Sequence, residues 1–307
     1  MSSSPLRIGT RGSPLALAQA HETRRRLIEA HGLSEDRIEL KIIRTSGDMI
    51  QDRALAEAGG KGLFTKEIDT AMLAGEIDIA VHSSKDLPTL LPDGIVVAGF
   101  LPREDVRDAL ISAKAASIKD LPQGGTLGTA SLRRQAQAKR LRPDLRVGLL
   151  RGNVETRLKK AERGEIDATL LAYAGLKRLG LAHRATALLA IDDFLPAVGQ
   201  GAIGITMRPN DERARSALAP LLDAATGAAL ACERAILTVL DGSGRTPIAG
   251  HARLVGGEVR FRGLVLRSDG SEAFEVEAKG AAKDAAALGE SAGRELKRRL
   301  PAGVLTI

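Results

Sequence analysis

The tetrapeptide GEID occurs twice in the chain, in GEIDIAVHSSKDL at 75–87 and in GEIDATLLAYAGL at 164–176. Each copy follows an amphipathic helix, predicted over 62–74 and 153–163, and each starts an apolar stretch typical of a buried strand. Helices that alternate with short apolar strands are the pattern of layered α/β domains. The repeat therefore predicts two similar α/β domains.

A strand that ends in a hydroxyl-bearing turn also occurs twice. The first copy, RIGTRGSP at 7–14, predicts a helix through about Ala30 with Ser13 as its N-cap. The second, TLGTAS at 126–131, predicts a strand and then a helix that Ser131 opens. Helix N-termini attract anions, and ligands of open α/β sheets bind beyond the carboxyl ends of the strands. A cleft between two such lobes is expected to gather basic residues from both.

The C-terminal third has a different pattern. A helix is predicted at 228–240, two alternating strands flank the turn SDG at 268–270, and a final helix covers roughly 281–299. These elements predict a small α+β domain with an antiparallel sheet. The expected domains are 1–101 with 197–216, then 102–196, then 217–307.

Composition limits the class of protein. A chain of 307 residues can form two or three domains, and 44% apolar with 27% charged residues is typical of a soluble globular protein. No apolar run is long enough to cross a bilayer, and MSSSPLRIGT lacks a signal pattern, which favours the cytoplasm. The single cysteine, Cys232, excludes an internal disulfide and a multi-cysteine zinc site. Its helical spacing from Ile236 and Val239 predicts a buried, inert thiol.

The basic residues indicate an anionic partner. The net charge is +7, and the stretch GTASLRRQAQAKRLRP at 128–143 holds five basic residues and no acidic one. Binders of single-stranded nucleic acid stack bases on aromatic rings, whereas this chain has no Trp, one Tyr and five Phe. We therefore expect a small anion, bound by several arginines, and no nucleic acid. Arginine forks bind carboxylates in bidentate fashion, which favours a polycarboxylate.

Two glycine-rich motifs have alternative interpretations. GQGAIG at 199–204 matches the dinucleotide fingerprint, but the next residues continue as a strand, which favours glycines at a crossover between lobes. GGKGLFTK at 59–66 lacks P-loop spacing, so nucleotide binding is not supported. Lys61 and Lys66 belong either to a mobile functional segment or to an ordinary surface.

Two further motifs carry candidate site residues. HSSKDLP at 82–88 presents His82, Lys85 and Asp86 at the end of a predicted strand, where the cleft is expected. A carboxylate among cations can stabilise positive charge or exchange a proton, although a structural ion pair would account for it equally. RGNVETR contains Arg151 and Arg157, which either bind a carboxylate or are solvated helix charges.

The chain resembles the porphobilinogen deaminase (hydroxymethylbilane synthase) family from Arg7 through the final helix. The motifs that carry the resemblance are RIGTRGSPLALAQA, GGKGLFTKEI, AVHSSKDLP, GTASLRRQ, RGNVETRL, AGLKRLGL and PAVGQGAIGI. It implies two α/β domains like those of bilobal periplasmic binding proteins, and a small C-terminal α+β domain. It also implies a cytoplasmic, monomeric transferase that condenses four porphobilinogen molecules, with loss of ammonia, into hydroxymethylbilane on a dipyrromethane primer.

The resemblance also implies site residues. Asp86 aligns with the catalytic aspartate of the family. The residues aligned with cofactor contacts are Gly244, Ser13, Lys85, Thr129, Ser131, Arg133, Arg134 and Arg157, and those aligned with substrate contacts are Arg11, Arg151, Arg178 and Lys61. No metal ligand is implied.

One position departs from the family pattern. The family attaches its primer through a thioether to a cysteine in a loop resembling L-[DE]-G-[GS]-C-x-x-P-I. Here the loop is LDGSGRTPI at 240–248, with Gly244 at the cysteine position. Glycine cannot form a thioether, so the covalent attachment expected of the family is not possible at Gly244. The alternative function is a homologue without cofactor or catalysis that binds small polycarboxylates.

Overall fold

The computed structural model describes residues 4–49, 62–240 and 246–305. The strands, in chain order, are β1 Leu6–Arg11, β2 Ile38–Ile43, β3 Ile79–Ser83, β4 Val96–Phe100, β5 Asp108–Ile111, β6 Thr126–Gly128, β7 Arg146–Gly148, β8 Ala168–Ala172, β9 Ala187–Leu188, β10 Ile203–Met207, β11 Ile248–Val255, β12 Glu258–Leu266 and β13 Ala273–Ala281. The helices are α1 Pro14–His31, α2 Ser46–Met49, α3 Lys66–Leu73, α4 Leu132–Leu141, α5 Val154–Glu162, α6 Tyr173–Arg178, α7 Glu212–Leu218, α8 Ala224–Val239 and α9 Ala285–Arg299.

Two five-stranded sheets share one pattern of strand directions. The first has the order β2-β1-β3-β10-β4 and the second has the order β7-β6-β8-β5-β9. In each sheet the first three strands are parallel, and the last two pairings are antiparallel. The strand after each GEID, β3 or β8, is the third strand of its sheet and is almost fully buried. The predicted pair of similar α/β domains is confirmed.

The helix starts follow the predicted capping. Ser13 Oγ accepts a hydrogen bond from the Ala16 N–H, and α1 ends at His31, one residue later than expected. Ser131 Oγ accepts a hydrogen bond from the Arg134 N–H at the start of α4. Each hydroxyl therefore satisfies one of the backbone donors that a helix N-terminus leaves unpaired.

The residues after GQGAIG form β10, so no helix follows the glycines. Gly199 and Gly201 have φ of 74° and 86°, conformations that favour glycine. β10 is buried throughout and pairs antiparallel with both β3 and β4. The motif is therefore a turn into a central strand, as the sequence indicated, and not a dinucleotide fingerprint.

The third sheet is antiparallel, with the order β11-β12-β13. The two predicted strands correspond to β12 and β13, while β11 was not predicted. Its first three residues are all buried and its last three are all exposed, so it lacks the alternation that marks a half-buried strand. An added Cβ at Gly250 would lie 3.1 Å from Val198 and 3.2 Å from Phe261. The final helix begins at Ala285 and not near 281, because β13 extends to Ala281.

The C-terminal helices pack closely through glycine. An added Cβ at Gly289 of α9 would overlap the backbone oxygen of Cys232 in α8. The Cys232 side chain is fully buried, and this burial raises the pKa of the thiol to about 12. The predicted burial of this cysteine is confirmed.

Contacts within the chain define two compact units. Unit 1 comprises described residues 4–49, 62–104 and 202–227, and contains the first sheet. Unit 2 comprises described residues 105–201, 228–240 and 246–305, and contains the second and third sheets. In the described part of the chain, no helix has both the length and the apolar character needed to span a membrane.

His82 should make the free energy of unfolding depend on pH. The expectation that His82 is presented with Lys85 and Asp86 is wrong, because its ring is buried in β3, with Nε2 3.1 Å from the Thr206 hydroxyl. Burial, with a contribution from the positive charge of Arg11, lowers the pKa of His82 to about 4, against about 6.5 in an unfolded chain. Between these values the unfolded state binds a proton that the folded state does not. The contribution of neutral His82 to the free energy of unfolding is therefore complete above about pH 6.5, and it is lost as the pH falls towards 4.

We expect this titration to remove about 3 kcal/mol of unfolding free energy between pH 6.5 and pH 4. The measurement is urea denaturation of the wild type and of His82→Gln across this range. Glutamine can bond to the Thr206 hydroxyl but does not titrate, so the variant should show the shallower pH dependence. Identical pH slopes in the two proteins would exclude His82 as the cause.

Candidate functional site

The first sheet brings four of the predicted site residues to one edge. β1 and β3 are parallel neighbours, so their carboxyl ends lie on the same side of the sheet. Arg11 ends β1 and Ser13 caps the helix that follows. Lys85 and Asp86 lie in a 3₁₀ turn directly after β3, and both are exposed. The edge thus presents a carboxylate beside cations, as the sequence indicated.

A backbone hydrogen bond and a buried side chain hold the 3₁₀ turn that carries Lys85 and Asp86. The Ser84 N–H donates to the Ala202 carbonyl at 3.0 Å, and the Leu87 side chain is buried. At the end of β3, the Ser83 hydroxyl lies 3.0 Å from the buried Gln19 Nε2 of α1. Gln19 was not found from the sequence. Its signal was an amide side chain on the buried stripe of α1, beside Ala16, Ala20 and Leu27.

Arg11 already has a carboxylate partner. Its Nε donates to Asp48 at 3.2 Å and its Nη2 binds the other oxygen of the same carboxylate. The guanidinium also lies 4.0 Å from the centre of the Phe64 ring. Burial favours the neutral form of Asp48, but hydrogen bonds from Arg11 and Thr45 outweigh it and hold the pKa of that carboxyl below its usual range. Asp48 thus occupies the fork that a ligand carboxylate would use.

The second sheet repeats the arrangement. Thr129 and Ser131 follow β6, and Arg151 follows β7, at the carboxyl edge of these parallel strands. The Thr129 hydroxyl oxygen accepts the Ser131 N–H at 3.1 Å. Because each hydroxyl oxygen accepts a bond from the turn, its proton can be donated to an anion. The hydroxyls and the N-terminus of α4 form an anion-binding edge.

Arg133 and Arg134, in the first turn of α4, share one carboxylate. Arg133 Nη2 lies 2.8 Å from Asp108 Oδ2, and Arg134 Nη2 lies 2.7 Å from Asp108 Oδ1. Arg133 Nη1 also donates to the Leu195 carbonyl at 2.8 Å. All three charged side chains are buried. We refer to Asp108, Arg133 and Arg134 as the buried ion cluster.

The buried ion cluster carries an excess of positive charge. Burial would raise the pKa of Asp108, but the charges of Arg133 and Arg134 outweigh it and hold the pKa well below its usual range. One carboxylate facing two guanidiniums leaves a formal charge of +1 at the positive end of α4. Among the described residues, Arg133 Nε is buried without a hydrogen-bond partner, and Arg134 Nη1 has no recorded acceptor.

Asp108 was not found from the sequence. Its only signal is an aspartate at the start of DALI, a strand that is otherwise apolar and wholly buried. A buried acid requires a cationic partner, but nothing local indicates which cation it is. The partners lie 25 and 26 residues away in the chain, on α4, so the tertiary packing of that helix determines them.

The remaining arginines bind backbone carbonyls. Arg157 Nε donates to Gly152 at 2.9 Å, and Arg178 Nη2 donates to Gly201 at 3.1 Å. Arg157 therefore has a part-buried backbone bond and is not simply a solvated helix charge. Two further predicted site residues, Lys61 and Gly244, lie outside the described residues. Within residues 4–49, 62–240 and 246–305, no cluster of His, Cys, Asp and Glu could hold a metal ion.

Solved structures similar to this chain include a nutrient-binding protein and a substrate-binding protein. A nutrient-binding protein from Burkholderia cenocepacia, bound to methionine, matches with a TM-score of 0.41 and 16% identity, covering 69% of this chain and 90% of its own. An ABC transporter periplasmic substrate-binding protein from Coxiella burnetii matches with a TM-score of 0.42 and 16% identity, covering 70% of this chain and 91% of its own.

Sequence comparisons give a closer relationship. The family described as porphobilinogen deaminase, dipyromethane cofactor binding domain, matches residues 6–216, and the porphobilinogen deaminase C-terminal domain matches residues 228–298. Porphobilinogen deaminases of Nitrobacter hamburgensis and Nitrobacter winogradskyi are each 61% identical over 292 residues. In both cases the match covers 95% of this chain and 92% of the relative. This chain therefore belongs to the porphobilinogen deaminase family.

Proposed function

We propose that this chain is a hydroxymethylbilane synthase of tetrapyrrole biosynthesis. It condenses four porphobilinogen molecules, each with loss of ammonia, into hydroxymethylbilane on a dipyrromethane primer. The observation that carries the proposal is the buried ion cluster, whose net charge and free donors suit the acetate and propionate groups of porphobilinogen. Its partners in the cell are small molecules, and no nucleic acid or membrane is involved.

The described residues fit the carboxylate groups of the family's cofactor. Arg133 Nε is a buried donor that has no acceptor among the described residues. Arg134 uses Nε and Nη2 to bind Asp108, so its Nη1 can donate to a ligand. The residues that would hold the cofactor are Ser13, Lys85, Thr129, Ser131, Arg133, Arg134 and Arg157. When bound, the dipyrromethane supplies the pyrrole end to which substrate units are joined. The sequence does not fit its covalent attachment, because Gly244 has no sulfur.

Asp86 is the proposed catalytic residue. Its exposed carboxylate lies next to Lys85 at the carboxyl edge of the first sheet. There it can accept a proton from a pyrrole nitrogen and offset the positive charge that develops when ammonia leaves. The base of the turn, held through Ser84, keeps this carboxylate in place without burying it.

Substrate carboxylates are assigned to the remaining basic residues. These are Arg11, Arg151, Arg178 and Lys61. Arg11 is bound by Asp48, so a substrate carboxylate must share the guanidinium with Asp48 or displace it. The guanidinium has five N–H donors, which permits sharing.

We also propose that the chain forms three domains. The first domain comprises 1–101 and 197–216, the second 102–196, and the third 217–307. The protein acts as a monomer in the cytoplasm. Equilibrium sedimentation tests the oligomeric state.

The first test of function is binding of porphobilinogen by calorimetry. Because Gly244 cannot attach the cofactor, porphobilinogen can occupy the cofactor's carboxylate position at Arg134. We therefore expect Arg134→Leu to lose about 2 to 5 kcal/mol of binding free energy, because a bound carboxylate would lose its partner. The variant should also be less stable, because Asp108 keeps only one of its two cations. Arg140→Leu, an exposed change on the same helix, is the control and should alter neither property. Normal porphobilinogen binding by Arg134→Leu would contradict the carboxylate assignment.

A second test concerns Gly244. We expect the protein to carry no covalent adduct by intact mass spectrometry and to synthesise little or no hydroxymethylbilane. Gly244→Cys should acquire a stable adduct and gain activity, since a nucleophilic sulfur is the missing element. Adding Cys232→Ser to Gly244→Cys should leave the adduct in place, because the Cys232 thiol is buried and its pKa is raised. An adduct on the Gly244 protein that maps to Cys232 would overturn this assignment.

The third test addresses catalysis in the Gly244→Cys background. Asp86→Asn keeps the shape of the side chain but removes its charge, so turnover should fall by about 10²–10⁴-fold. Porphobilinogen binding and thermal stability should change little, since the Asp86 side chain is exposed. Asp93→Asn, an exposed aspartate in the same unit, should leave turnover unchanged. Near-normal turnover by Asp86→Asn would assign catalysis to another residue.

A further inference from the structure

Gln200, the middle residue of the GQG turn, is joined to the buried ion cluster. Its side chain is completely buried. Nε2 donates to the Val106 carbonyl at 2.8 Å and to Asp108 Oδ1 at 3.0 Å. The same oxygen accepts Arg134 Nε at 3.1 Å and Arg134 Nη2 at 2.7 Å. Gln200 and Arg134 thus both donate hydrogen bonds to Asp108 Oδ1.

The backbone that carries Gln200 is held by a second buried carboxylate. Glu233 of α8 accepts the Gly199 N–H through Oε2 at 2.7 Å and the Ala252 N–H of β11 through Oε1 at 2.7 Å. Its side chain is fully buried. Because one side chain accepts a backbone N–H from each of two separate elements, Glu233 ties the GQG turn to the C-terminal sheet.

Charge balance alone does not account for Gln200. Asp108 already offers one oxygen to each arginine, which offsets part of their charge. A neutral amide adds no charge to the cluster. With Nε2 bound to both the Val106 carbonyl and Asp108, it instead fixes the direction of the carboxylate. The direction of the carboxylate sets the plane of the Arg134 guanidinium, because Asp108 Oδ1 accepts hydrogen bonds from both Nε and Nη2 of Arg134.

We propose that Asp108 and Gln200 are positioning residues that act through Arg134, and that Glu233 holds Gln200 in place from the C-terminal sheet. They aim Arg134 Nη1 at a ligand carboxylate. This inference rests on the proposed function in that Arg134 contacts the ligand. It assigns the GQGAIG motif a role, in which the glycines supply positive φ and the glutamine reaches the buried ion cluster.

The first measurement is the Kd of porphobilinogen by calorimetry on the chain as it exists. Gln200→Met keeps the length of the side chain and removes the donor. We expect Kd to rise about fivefold, the equivalent of one neutral hydrogen bond. The control is Gln135→Met on α4, which removes an amide that donates to the Ser268 carbonyl at 3.2 Å. That acceptor is not part of the buried ion cluster, so this variant should bind within about twofold of wild type even if Tm falls.

A double-mutant cycle separates positioning from general destabilisation. If Gln200 acts through Arg134, Gln200→Met should have no further effect on Kd in an Arg134→Met background. In an Arg11→Met background its fivefold effect should persist, because the recorded partners of Arg11 are Asp48 and Phe64. Equal effects of Gln200→Met in the two backgrounds would overturn the proposal.

A second readout needs no ligand. The Nε–H of Arg134 is bound to Asp108 and should exchange slowly with solvent by NMR, assigned with Arg134→Lys. Gln200→Met should speed this exchange at least about fivefold, while Gln135→Met should not. An unchanged rate in Gln200→Met would reject the positioning role. Failure of the wild type to bind porphobilinogen would instead reject the proposed function, and the exchange rates would still decide the role of Gln200.

Discussion

The ion pairing of Asp108 with Arg133 and Arg134 is the constraint on which the rest of the site depends. Two buried guanidiniums at the positive end of α4 repel each other and the helix dipole, so folding requires an anion beside them. Asp108 supplies one charge against two. The cluster is therefore stable enough to form and still positive enough to attract a carboxylate. A fully balanced buried pair would have no such attraction.

The two sheets place the same kinds of residue at equivalent edges but treat them differently. In the first sheet Asp86 and Lys85 are exposed, which suits groups that meet a reacting atom. In the second the charged side chains are buried, which strengthens their interaction with an anion because water is excluded. In both, an aspartate occupies the arginine fork: Asp48 binds Arg11 and Asp108 binds Arg134. A ligand carboxylate thus enters sites that already contain a protein carboxylate.

The C-terminal region contributes through packing and hydrogen bonding. α8 and α9 approach closely at Gly289, which buries Cys232 and makes its thiol a poor nucleophile. The neighbouring residue, Glu233, faces the GQG turn and holds it through a backbone N–H. One helix thus carries an inert thiol and a carboxylate that connects the third sheet to the buried ion cluster.

Local sequence determined the two α/β repeats, the capping serines Ser13 and Ser131, and the strand after GQGAIG. Such features depend on backbone hydrogen bonds and side-chain periodicity within a few residues. Only the tertiary structure decided that β10 pairs with β3 and β4, that β11 exists, and that Asp108 meets its arginines and Gln200. Gln200 is 92 residues from Asp108, and no local pattern encodes a contact of that separation. Strand order brings these residues together, and strand order results from packing of the whole sheet.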